Sequence, residues 1–277
     1  RVEKGLEYFK QALDMYKALF KGDHPEVAAS LYSVGVAYQA LGRFEEGLEY
    51  KKQALAMRKA LYKGNHLKVA DSLNSVGAAY QALMQVEEGL EYLKQALAMY
   101  KALFKGNHPA VAQSFSNVGV AYEALGRVEE GLEYKKQALD MKQALYEGNH
   151  PEVARSLNNV GVAYQTLGRI EEGLKYFKQA LDMYKALFKG NHPAVAQSLN
   201  NVGVAYEALG RVEEGLEYKK QALAMKQALY KGNHPAVARS LNNVGVAYRA
   251  LERVEKGLEY FKQALDMYKA LFKGDHP

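Results

Sequence analysis

The sequence has no cysteine among its 277 residues. Neither a disulfide framework nor a thiolate metal site can therefore form, and a reducing, cytoplasmic setting is expected. No apolar run approaches the roughly 18 residues a membrane-spanning helix needs, so no membrane partner is expected. The opening Arg1-Val2-Glu3-Lys4 starts a helical pattern and does not resemble a signal peptide. Charge of one sign is scarce too. A net charge of +6, spread over an elongated body, is weak support for a nucleic-acid partner. What is present, 48% hydrophobic and 25% charged residues, is ordinary for a soluble protein.

The histidines set the architecture. They stand at 24, 66, 108, 150, 192, 234 and 276, each 42 residues after the last, and no histidine lies outside this column. Five follow Asn and two follow Asp, and all but His66 precede Pro. Glycine columns run from Gly5 to Gly257 and from Gly22 to Gly274 with the same period. Fixed self-similarity of this length marks a solenoid or array. The chain reads as one repeat array over 1–277. It comprises a half repeat (1–22), six full repeats (23–64, 65–106, 107–148, 149–190, 191–232, 233–274) and a stub, 275–277.

Residues 191–232 illustrate the unit. Asn191-His192-Pro193 starts a helix, with Asn as the expected cap and Pro tolerated in the first turn. Apolar positions Val195, Leu199, Val202, Val204, Tyr206 and Leu209 follow at mostly three- and four-residue steps. Gly210 is placed to end that helix in a left-handed conformation. Glu213 and Glu214 open a second helix, where their charge suits the positive end of the helix dipole. It continues through Leu216, Tyr218, Ala222, Leu223, Met225 and Leu229 to Lys231-Gly232. Each helix is about 17 residues, roughly 25 Å, and no strand signal interrupts them. A single hairpin cannot bury both apolar stripes, so neighbours must stack. Gly203, Gly215, Ala222 and Ala228 are expected at close helix crossings.

The series Leu199, Val202, Gly203, Tyr206, Gly210, Gly215, Tyr218, Ala222 resembles the tetratricopeptide repeat (TPR). The stretch NHPAVAQSLNNVGVAYEALGRVEEGLEY is similar to the longer repeats of kinesin light chains and of sensor arrays in immune-type receptors. The resemblance implies an all-α, right-handed superhelical solenoid of antiparallel hairpins, with first helices lining a concave groove. It depends on matches across nearly the whole chain, and its motifs are specific for fold but not for partner. Gly215 and its equivalents depart from the family's alanine, and Met84 and Glu252 replace the turn glycine, which puts those two helix ends in question.

On that arrangement one helical face carries the groove, in the columns of Gln197, Asn200, Asn201, Val204, Glu207 and Ala208. Candidate partner-binding residues in these columns are Gln113, Arg155, Gln197 and Arg239; Asn74, Asn158, Asn200 and Asn242; Asn117, Asn159, Asn201 and Asn243; Val120, Val162 and Val204; and Glu123, Gln165, Glu207 and Arg249. Asparagine is a poor mid-helix residue and its recurrence needs a reason. Its amide offers donors and an acceptor that fit a peptide backbone of any sequence, or it could serve inter-repeat hydrogen bonds. In the resembling family, the column of Asn117, Asn159, Asn201 and Asn243 grips peptides. The clamp that family uses for chaperone tails needs lysine at the Asn200-type column and asparagine at the Val204-type column, so a chaperone-tail receptor is not expected. Asp71, Glu123 and Glu207 balance Arg155, Arg239 and Arg249 on the lining, which again disfavours nucleic acid. One histidine per repeat without cysteine makes no tetrahedral metal set. The Glu213-Glu214-type pairs recur too regularly for an active site, so neither metal, cofactor nor catalysis is expected.

A second period, of 84 residues, runs through the second helices. Phe9/Tyr16/Phe20, Leu93/Tyr100/Phe104, Phe177/Tyr184/Phe188 and Phe261/Tyr268/Phe272 alternate with Lys51/Arg58/Tyr62, Lys135/Lys142/Tyr146 and Lys219/Lys226/Tyr230. Either a two-repeat unit was duplicated, with lysine stems covering the same apolar surface, or aromatic patches form an outer self-association surface. Residues 1–25 and 253–277 are identical, which reads as an excerpt of a longer array or an artificially bounded chain whose ends favour weak end-to-end contact. The expected function is a non-catalytic scaffold that binds a protein, as an extended peptide or helix, in the groove. The alternative is a self-associating spacer arm of a larger receptor-type protein.

Overall fold

The computed structural model describes residues 2–272. Thirteen α-helices and no strand occur among them. After α1 (Val2–Leu19), the first helices of the hairpins are α2 (Pro25–Ala40), α4 (Leu67–Ala82), α6 (Pro109–Ala124), α8 (Pro151–Thr166), α10 (Pro193–Ala208) and α12 (Pro235–Ala250). The second helices are α3 (Phe44–Leu61), α5 (Val86–Leu103), α7 (Val128–Leu145), α9 (Ile170–Leu187), α11 (Val212–Leu229) and α13 (Val254–Leu271). The chain forms two compact units, Arg1–Leu145 and Tyr146–Pro277. Within each, a helix packs chiefly on its neighbours in sequence. His276, Gly274 and the stub 275–277 lie outside the described residues.

The cap of each first helix corrects the expectation from sequence. Histidine, not asparagine, is the N-cap, and its Nδ1 accepts the N–H of the residue two further on at 3.1–3.2 Å in all six first helices. In five of the six helices proline at the first helical position has no N–H, so the nearest free donor is that of the next residue; α4, with Leu67 there, uses the same donor, Lys68 N–H. The residue just before the proline is the one placed to reach it. The same imidazole stacks on the aromatic four residues earlier. Phe20, Tyr62, Phe104, Tyr146, Phe188 and Tyr230 lie 3.5–3.8 Å from their histidines between ring centroids.

First helices end at the turn glycine, and Gly210 has φ +74°. Met84 and Glu252 take the same turn at φ 59°, so α4 and α12 stop where their siblings do despite the missing glycine. Holding a side chain there costs about 1 kcal/mol. In the turn that follows, Arg43, Arg127, Arg169 and Arg211 each ion-pair with a carboxylate three residues on, Glu46, Glu130, Glu172 and Glu214. The arginine hydrogen bond holds these four carboxyls below the usual range.

Each hairpin closes on a pair of glycines. A Cβ on Gly203 would stand 2.9 Å from the Gly215 carbonyl oxygen, and one on Gly215 would stand 2.6 Å from that of Gly203. Ala222 is buried in the core, whereas Ala228 is exposed and marks no close approach, contrary to the sequence expectation.

Of the two readings of the alternating trios, the packing favours the one in which lysine stems cover the same apolar surface. Leu93 and Phe177 are fully buried, as nearly are Lys51, Lys135 and Lys219, so the first member of each interior trio faces inward. No outer aromatic surface is formed by them. The slot they fill is the one left open by the first-helix glycine: a Cβ on Gly161 would meet the Phe177 ring at 2.7 Å, and one on Gly119 the Lys135 Cγ at 3.0 Å. Aromatic ring and lysine stem are two fillings of one apolar slot.

Candidate functional site

The exposed side of the first helices carries the columns singled out from sequence, and their amides are tied into ladders. In the first unit Gln113 donates to Asn117 Oδ1 at 2.9 Å, and Asn117 donates to Asn74 Oδ1 at 2.8 Å. In the second unit Gln197 donates to Asn201 at 2.9 Å and Asn201 to Asn158 at 3.4 Å. There too, Asn243 donates to Asn200 at 2.8 Å and Asn158 to Ser198 Oγ at 3.1 Å. The inter-repeat role therefore accounts for much of the mid-helix asparagine. It does not exhaust these groups. An amide has two N–H donors and two oxygen lone pairs, so Asn117 and Asn201, each using one donor and one acceptor site, keep one of each.

The remaining candidates are dispersed. Asn159 and Gln165 are half-buried and Asn242 is exposed. Val120 and Val162 are exposed and Val204 half-buried. Arg155 is engaged by Glu152 on its own helix. Arg239 and Arg249 are exposed on α12, and Arg155 lies on α8, so the arginines do not converge. Glu123 and Glu207 are committed to ion pairs with Lys135 and Lys219 of their own hairpins.

Those lysines were missed as contributors to this face. Their stems pass beneath the first helix in the glycine slot and bring the ammonium out on the lining. A charge count confined to first helices, which gave zero, therefore omits Lys51, Lys135 and Lys219. The visible signal was the 84-residue alternation, whose first reading had the lysine stems covering the apolar surface that the aromatics fill in the other repeats.

In the first unit the face opens into a depression of about 660 Å³ between α2, α3, α4 and α5. Lys51 bonds the Gln39 amide oxygen there. Arg58, also buried, donates through Nη1 to Ser72 Oγ at 2.6 Å and to the Lys68 carbonyl at 3.3 Å. Its guanidinium lies 5.1 Å from the centroid of the Tyr32 ring. Tyr100 donates to Asp71 Oδ1 at 2.7 Å. Burial first, then that carboxylate, pushes the Tyr100 phenol well above its usual range, so it stays a donor.

Among the described residues no group of three His, Cys, Asp or Glu is placed to hold a metal ion. No described helix is long and apolar enough to cross a membrane.

Stacked helical hairpins whose first helices share one polar face define a repeat-type scaffold. The chain belongs to the tetratricopeptide repeat family, whose model matches overlapping segments 1–60, 34–102, 68–144, 111–186, 152–228 and 194–270. Members of this family generally mediate protein–protein interactions, and the fold is typically a non-catalytic scaffold. No curated protein matches the chain by sequence. Among solved structures, it is similar to the nearly identical TPR-like repeats of a Podosopora anserina putative kinesin light chain. That match has 26% identity and a TM-score of 0.69, over 76% of this chain and 100% of that one. BtubC (BKLC) from P. vanneervenii matches at 20% identity and TM-score 0.73, over 84% and 94% of the two chains. The apo form of the quorum sensor NprR from B. thuringiensis shares the fold at 17% identity and TM-score 0.56, over 96% and 83% of the two chains.

Proposed function

We propose that this chain is a non-catalytic scaffold that holds an extended peptide or a partner helix against the polar face of its first helices. The observation that carries this is the amide ladder: Asn117 and Asn201 retain one donor and one acceptor each after pairing across repeats. Those groups are held in place before any ligand arrives, so binding avoids the ordering cost of a flexible receptor. An extended backbone, with alternating N–H and C=O, matches what remains.

The competing reading, a spacer or self-associating arm, rests on the near-identity of the repeats. It loses support from the inward packing of the interior trios, which takes Leu93, Phe177 and their lysine counterparts out of any outer contact surface.

The test is a pull-down from cell extract that compares the native chain with an Asn117, Asn159, Asn201, Asn243→Ala quadruple variant of matched thermal stability. Specific proteins retained by the native chain and lost from the variant are expected. Equal retention by both would remove the amide face as the working site, and retention of nothing but the chain itself would favour the arm.

A further inference from the structure

The depression in the first unit holds a charge imbalance that the sites of Lys135 and Lys219 do not. At those two sites the buried ammonium meets a carboxylate, Glu123 or Glu207. Lys51 occupies the same slot, yet the equivalent position is Gln39, and its partner is a neutral amide oxygen. Arg58 enters the same depression two turns further along α3, and its hydrogen bonds go to a hydroxyl and a carbonyl, both neutral. Lys68, exposed on the lining, adds a third cation, and Asp71, already holding the Tyr100 hydroxyl, is the one carboxylate of the lining. Three cations against one anion leave two positive charges. Lys51 and Arg58 are both almost fully buried, so each charge is held against a desolvation cost, in keeping with the downward push of burial on both groups. An anion entering the depression relieves that cost.

The class of anion follows from charge and donor count. Lys51 has two N–H groups beyond the one given to Gln39, and Arg58 keeps its Nε and Nη2 edge, a planar fork that fits two oxygens at once. A phosphomonoester carries about −1.5 to −2 charges and three acceptor oxygens. A carboxylate brings one charge and two oxygens, which leaves half of the imbalance in place. We infer that the α2–α5 depression is a phosphomonoester-binding site, with Lys51 and Arg58 as its anion contacts and Gln39 as the residue that leaves it open. The phosphoryl group belongs either to a phosphorylated side chain of a protein partner or to a small phosphate ester.

Calorimetric titration of the full chain with O-phosphoserine, phenyl phosphate and glutarate tests this. A degenerate phosphoserine peptide pool and its unphosphorylated counterpart form the second arm. Two variants install residues that sibling repeats already carry: Gln39→Glu, as at Glu123 and Glu207, and Arg58→Lys, as at Lys142 and Lys226. Thermal melting confirms that they fold. Phosphate esters are expected to bind the native chain, with glutarate weaker and Gln39→Glu weakening binding by about tenfold or more. A phosphopeptide pool that outcompetes O-phosphoserine identifies a protein source; parity identifies a small ester. Failure of every phosphate ester at millimolar concentration, equal affinity for glutarate, or indifference to both variants would overturn the assignment. Loss of phosphate binding in Gln39→Glu with partner capture intact would separate this site from the amide face.

Discussion

The α2–α5 hairpins of the first unit and the α10–α13 hairpins of the second are built on one plan, with equivalent residues 168 positions apart. Lys51 and Lys219 fill the same glycine slot, but Gln39 faces one and Glu207 the other. Where Asp71 accepts the Tyr100 hydroxyl in the first unit, Arg239 stands in the second. Lys226, the counterpart of Arg58, is pushed below its usual range by burial and then by Arg239. Identical backbones thus carry opposite answers to the same problem, the placing of a cation beneath a helix. Packing fixes where the stem runs. A single neighbour then decides whether its charge is neutralised within the hairpin or left for something else.

The largest contrast is expected on removing the two lysines. Lys219→Leu leaves Glu207 half-buried without its partner and should cost about 2–3 kcal/mol, discounted from the 3–5 of a fully buried pair. Lys51→Leu removes a charge without a carboxylate partner and reproduces the leucine of Leu93, so it should stabilise by about 1 kcal/mol. Urea denaturation of both variants checks this, and equal shifts of one sign would mean that the Gln39/Glu207 difference is immaterial. A smaller asymmetry is expected at the tyrosines. Tyr100→Phe deletes a hydrogen bond to a carboxylate and should cost about 1.5 kcal/mol, while Tyr268→Phe, with arginine in the place of Asp71, should stay within about 0.5 kcal/mol. Smallest, and alike in the two regions, is the turn. Met84→Gly and Glu252→Gly should each stabilise by up to about 1 kcal/mol, read as parallel rises in melting temperature; divergence would show that the turns, not only the charges, distinguish the regions.

Much of this was legible in the sequence. The 42-residue histidine column fixed the helix starts, and the turn glycines fixed most of the first-helix ends, because both need particular backbone geometry. Met84 and Glu252 were the ambiguous cases, since the backbone hydrogen bonds of the turn (Gln85 N–H to Tyr80 O, Arg253 N–H to Tyr248 O) form there as in the sibling turns, against the side chain's local preference. Helical periodicity also put Asn117, Asn201 and Asn243 on one face. It could not say that Lys51, Lys135 and Lys219 cross beneath that face. Periodicity gives the angle of a side chain about its own helix, and the shared apolar surface suggested for the lysine stems did not say which helix they run under. Only the Gly203-type column, read together with the lysines, implies a slot deep enough for a four-carbon stem. Asn191 and His192 can each cap a helix; His66 caps α4 in the same way although Leu67 stands where the other repeats have proline, so the proline is not what assigns the role to the histidine.

The stacked histidine of each first helix has a spectroscopic consequence. Its ring protons sit close above the face of Phe20, Tyr62, Phe104, Tyr146, Phe188 or Tyr230, where the aromatic ring current shifts their magnetic resonance signals upfield. With no described histidine outside this setting, selective labelling of a single residue type places one reporter at the head of every first helix. Loss of the shift at one histidine while the others keep theirs would time the opening of that hairpin, and the order in which the signals move would map how the array comes apart.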